Sequence, residues 1–161
     1  MTSSQVSPGD GLPPFGGGGV GVDRYGPTMM IRPSGTWREG VAEEARGLAA
    51  GTLDPEHAYM AGLFPEALLA ATDVVLQDFE TDFRALAEPS DVQVMEMVKR
   101  VVLALNAVNE SFDHAAYETG EREQLCEYID QVLANSGIDV SALTARHGID
   151  RHAITDEWRE W

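Results

Sequence analysis

DVQVMEMVKRVVLALNAVN, residues 91–109, is the stretch that decides the fold. Val94, Met95, Val98, Val101, Val102, Leu105 and Val108 recur at steps of three and four, so they share one face of a helix. Met97, Leu103, Ala104 and Ala107 widen that face until it nearly encircles the second half. A helix apolar on most sides has to be covered by several neighbours, so 91–109 is expected at the centre of a helical domain. Its start is well marked. Pro89 stops the preceding element, Ser90 is placed to cap, and Asp91 favours the positive end of the helix dipole.

Upstream, Pro65 opens the segment PEALLAATDVVLQDFETDFRALA, with Leu68, Leu69, Thr72, Val75, Leu76, Phe79, Phe83 and Leu86 on one stripe. It predicts a long amphipathic helix packed on the central one. Asp54 and Pro55 give a cap and a first helical residue for a short helix ending near Gly62. Before that, Thr36-Trp-Arg-Glu39 has the letters of a capping box, so a helix is expected from Thr36 to Gly51, weakened by Gly40 and Gly47.

Downstream, ESFDHAAYETG is irregular. It leads into a helix with core residues Leu125, Tyr128, Ile129, Val132 and Leu133, which Thr119 is placed to cap and Gly137 to end. Two short pieces follow behind Asp139 and Asp150. No strand-like alternation occurs after residue 35. The fold expected is all-α: a compact bundle of about five to seven helices in one domain, residues 36–161. Residues 1–35 read as a flexible leader, mostly disordered or extended, because glycine and proline this dense hold neither helix nor central strand. Gly16–Gly19 lack the Gly-Lys-Ser/Thr of a phosphate loop, and Thr28–Ile31 is the one piece suited to lie extended against the domain or against a partner.

The chain has 161 residues, and its 43% hydrophobic content suffices for a core. Its charge is unusual: 27 acidic against 11 basic residues, net −16. Binding phosphates takes clustered lysine and arginine, so nucleic acid and anionic membrane are not expected as direct partners. A basic protein partner, divalent cations or mere solubility fit better. Cys126 is alone, so no internal disulfide is possible. No stretch shows the charge-then-apolar pattern of a signal peptide or the ~18 apolar residues of a membrane span. The expected setting is cytoplasmic.

Glu123, Glu127 and Asp130 lie at i, i+4 and i+7, one ridge of a helix. Asp78 and Asp82 make a similar pair. Helical Mg²⁺-dependent nucleotide hydrolases use such ridges, because a hard cation takes several oxygen ligands. Glu118-x-x-Glu121 and Glu127-x-x-Asp130 copy the E-x-x-E and E-x-x-D letters of those enzymes but stand too close together. Asp113, His114 and Glu118 offer a carboxylate–histidine group without a third well-spaced ligand. Cys126, flanked by Leu125 and Glu127 in acidic surroundings, reads as a small, partly buried residue rather than a nucleophile. SALTARHGIDRHAITDEW, residues 141–158, has a helix-turn-helix outline with Arg146, His147, Arg151 and His152 clustered. Asp156, Glu157 and Glu160 would repel DNA there. Trp158 and Trp161 are expected to anchor the chain end.

VVLALNAVNESFDHAAYETGEREQLCEYI, residues 101–129, resembles small acidic bacterial proteins of unknown or immunity-type function. In these a helix ending L-N-x-x-N-E leads into E-T-x-E-R-E-x-L. The resemblance covers under a fifth of the chain and implies a helical fold and a toxin-neutralising role, with no catalytic residue. Arginine in excess of lysine suits a bacterial source. The function expected is a non-enzymatic acidic protein without cofactor, plausibly an immunity or inhibitor protein that neutralises a basic partner. Its partner-binding residues would be Glu118, Glu121, Glu123, Glu127 and Asp130. The alternative is an all-α Mg²⁺-dependent nucleotide hydrolase with Glu123, Glu127 and Asp130 on the metal.

Overall fold

A computed structural model describes residues 30–161. Among them are six α-helices and no strand. The expectation of a flexible leader lies, for residues 1–29, outside the described residues. Helix α1 spans Pro33–Ala50, α2 Met60–Leu63, α3 Glu66–Arg84, α4 Asp91–Ser111, α5 Thr119–Asn135 and α6 Val140–Arg146.

α1 begins three residues before the expected Thr36. Pro33 occupies its first turn, and no side chain caps it, so the capping box of Thr36 and Glu39 does not form. The start is set by docking instead. Ser34, fully buried, donates to the Asp73 carboxylate on α3, and Arg32 reaches Glu80 on the same helix. Glu39 pairs with Arg46 at 2.8 Å. Met30 packs against the core while Ile31 stays exposed; Thr28 and Met29 lie outside the described residues. Gly51, with φ of 70°, ends the helix as expected.

The helix expected from Pro55 to Gly62 is split. Asp54 caps a single 3-10 turn, Pro55–His57; Ala58 is extended; and α2 is one separate turn. The reason is Glu44. Its buried carboxylate accepts the N–H groups of Tyr59 and Met60, each at 2.9 Å, and of Ala61 at 3.3 Å. A continuous helix would bond those donors to preceding carbonyls, whereas a carboxylate at the helix start satisfies them all and suits the dipole.

α3 packs along α4 on one side and α1 on the other, so it shares the centre that the sequence assigned to α4 alone. Its stripe Leu68, Leu69, Thr72, Leu76, Phe79 and Phe83 is buried. α4 carries the expected Ser90 cap, completed by the Gln93 side chain into a full capping box. Val94, Val98, Val101, Val102, Leu105 and Val108 are buried. The wider apolar face is covered only in part: Met97 packs against the core and Ala104 is half-buried, but Leu103 is 46% exposed and Ala107 lies on the surface.

α5 buries Leu125, Tyr128, Ile129, Val132 and Leu133 as expected, but Glu118 precedes it without a side-chain cap and Thr119 is its first residue. Asp139 caps α6, and Asp150 caps a 3-10 turn at Arg151–Ala153. Trp37 ties the layers together. It stacks on Phe64 with centroids 5.2 Å apart and donates to Gln124 on α5 at 2.6 Å. Trp161 meets Tyr117 edge-on, so it anchors the chain end to the body.

Candidate functional site

α5 is amphipathic by its spacing. Its core stripe faces inward, and the positions between face out, with Glu118, Glu123, Gln124, Glu127 and Gln131 exposed and Glu121 half-buried. Glu118, Glu121, Glu123 and Glu127 form no ion pair among the described residues. Glu127 accepts only from Gln131, one turn on, at 3.2 Å.

Asp130, the third residue of the ridge, is different. Arg151 grips both its oxygens, Nε to Oδ2 at 2.8 Å and Nη2 to Oδ1 at 2.6 Å. Asp130 therefore fastens the C-terminal segment to α5 and is not left free for a partner or a cation. The carboxylate also holds the Arg151 guanidinium more firmly protonated than usual. The ridge points outward, and no group of three or more His, Cys, Asp or Glu among the described residues is arranged to hold a metal ion. Asp82 pairs with Arg100 at 3.5 Å.

Asp113 and His114 sit exposed in a left-handed turn, both with φ of 58°. That turn is organised by Asn109. Its carbonyl accepts the His114 N–H and its side-chain oxygen accepts the Ala116 N–H, both at 2.9 Å. Three residues earlier, Asn106 donates to the Trp158 carbonyl at 2.7 Å and accepts the Glu160 N–H at 3.0 Å. The N-x-x-N of the sequence is thus a pair of backbone latches. Their signal was two amides one turn apart on an otherwise apolar helix.

A concavity of about 830 Å³ lies between the outer face of α5 and residues 151–159. Thr119, Arg122, Glu123, Cys126, Glu127 and Asp130 form one wall, and Arg151, His152, Thr155, Asp156 and Arg159 the other. Cys126 shares its wall with Glu123, Glu127 and Asp130, as the sequence implied, but it also meets a cation. Arg159 Nη1 donates to its Sγ at 3.0 Å, and Thr155 Oγ1 is 3.5 Å away. The arginine comes from 33 residues further on, so no local pattern could show it. The helix-turn-helix outline fails here, since its second helix is only the 3-10 turn. Arg146 is bound to Asp91 and Arg151 to Asp130.

A second polar cluster went unread in the sequence. Glu80 on α3 receives Arg32 and the hydroxyl of Tyr128 from α5, with Arg84 at 3.7 Å. Burial pushes the Glu80 carboxyl up, but the donors Arg32 and Tyr128 and the charges of Arg32 and Arg84 outweigh it and hold the group below 4.5. Burial, then the Glu80 charge, pushes the Tyr128 phenol well above its ordinary range. The cluster joins α1, α3 and α5 and is structural. Comparison with known protein families, with characterised proteins and with solved structures found no match.

Proposed function

We propose that this chain is a non-catalytic binding protein that takes a basic protein partner on the acidic outer face of α5, as an immunity or inhibitor protein would. The observation that carries the reading is how charge is divided. Arg32, Arg38, Arg46, Arg84, Arg100, Arg146, Arg151 and Arg159 each pair with one of the chain's own carboxylates. Glu118 just before α5, and Glu121, Glu123 and Glu127 on it, have no such cation among the described residues. A patch of unpaired carboxylates in a protein of net charge −16 attracts a basic surface over a Debye length and repels phosphate.

The Mg²⁺ hydrolase reading has less support, because the ridge faces solvent and Asp130 is held by Arg151. No single helix among the described residues is long and apolar enough to cross a membrane. The reading places the protein in the cytoplasm, where the lone Cys126 stays reduced.

The test is capture from the native host on immobilised wild-type protein and, in parallel, on Glu123→Lys/Glu127→Lys. The reading expects a basic protein held by the first and lost from the second. A captured protein that is neutral or acidic, or one held equally by both, overturns it.

A further inference from the structure

The cleft between α5 and residues 151–159 mixes both charges, with Glu123, Glu127, Asp130 and Asp156 set against three arginines. Arg122, Arg151 and Arg159 all line it. Two of them are engaged: Arg151 by Asp130, and Arg159 by Asp156 at 3.2 Å and by the Cys126 sulfur. Arg122 is not. Its side chain makes no ion pair or hydrogen bond among the described residues, and its Nε is buried without an acceptor. Glu118, one turn earlier and in the favourable order for a helical pair, does not reach it. The terminal Nη groups of Arg122 are not closed off in this way and have no partner among the described residues, so they are the part of the guanidinium open to a carboxylate.

The same wall carries the opposite charge. Glu123 and Glu127 line the cleft without a cation. Arg122 and Glu127 are five residues apart, about 7.5 Å along the helix axis. A plain anion drawn to Arg122 meets the two glutamates, and a plain cation drawn to the glutamates meets Arg122. A molecule bearing both charges satisfies both. We infer that this cleft binds a small zwitterion, with its carboxylate on Arg122 and its ammonium or guanidinium group on Glu127, flanked by Glu123. Buried Ile154 and Thr155 form the floor beneath the linking carbons. A volume of about 830 Å³ lies within the range of small-molecule sites. The cleft shares Glu123 and Glu127 with the acidic face proposed above, but Arg122 lies outside that proposal, so the Arg122→Gln result below tests the zwitterion without reference to a protein partner.

Cys126, the only cysteine of the chain, lines the same cleft and serves as the reporter. The experiment measures the rate of its alkylation by iodoacetamide in the full chain. It compares 6-aminohexanoate, hexanoate, hexylamine and inorganic phosphate, each at roughly millimolar concentration, the range that two charge-assisted contacts support. Binding of the zwitterion covers the thiol, so 6-aminohexanoate slows alkylation several-fold while the three singly signed probes do not. Arg122→Gln and Glu127→Gln each abolish the protection. The Arg122 side chain bonds to nothing among the described residues, so an unchanged thermal melt shows that the variant is folded. Equal protection by hexanoate or phosphate, no protection by any probe, or full protection in Arg122→Gln overturns the inference.

Discussion

Arg32→Met tests whether the segment before α1 belongs to the folded body. Arg32 binds Glu80 through Nε at 3.2 Å and Nη2 at 2.8 Å. The Arg32 side chain is 31% exposed and that of Glu80 only 12%. Methionine keeps the aliphatic stem and removes the charge, leaving Glu80 with the Tyr128 hydroxyl and with Arg84, which stands at 3.7 Å and is largely exposed. An exposed pair contributes up to about 1 kcal/mol, and breaking a buried one costs about 3–5 kcal/mol, so this half-buried pair is expected near 2 kcal/mol. For a chain of this size that lowers the melting temperature by roughly 6 °C.

The pH dependence sharpens the test. The folded Glu80 carboxyl lies below its ordinary 4.5, so its contribution is present above the ordinary carboxylate range and lost as pH falls through the depressed value. Urea melts at neutral pH and at about pH 3 therefore give a wild-type advantage that is full at the first and shrinks at the second. Equal stability at neutral pH, or a difference that does not shrink in acid, would refute the docking of this segment.

Val98→Asp and Leu105→Asp each place a charge where the wild-type residue is fully buried, so both are expected to lose the cooperative thermal melt; a native-like melt in either would remove α4 from the core. Glu44→Ala removes the acceptor of three N–H groups, so amide exchange at Tyr59, Met60 and Ala61 should accelerate while that of α4 stays unchanged. Calorimetry with Mg²⁺ should show no specific micromolar binding; a site that disappears in Glu123→Lys/Glu127→Lys would revive the hydrolase reading.

The helices with strong local signals were legible. The valine and leucine spacing of α4, its Ser90 cap, the Pro65 start of α3 and the core stripe of α5 all follow from interactions within a few residues. What escaped depends on partners far along the chain. The early start of α1 rests on Ser34 and Asp73, 39 residues apart, and the break before α2 on Glu44. The environment of Cys126 is set by Arg159, and the loss of Asp130 from the ridge by Arg151, 21 residues on. Charge counting along one helix finds the carboxylates; only the fold says which of them are already neutralised.

The central claim is that unpaired carboxylates on α5 steer a basic partner. Its most direct test is the association rate with the captured partner, measured from about 50 to about 300 mM salt for wild type and for Glu123→Lys/Glu127→Lys. Steering between exposed opposite charges predicts a rate that falls steeply with salt, and a double variant that associates much more slowly at low salt while dissociating at nearly the wild-type rate. An association rate that is flat with salt, or unchanged by the double reversal, would contradict the account.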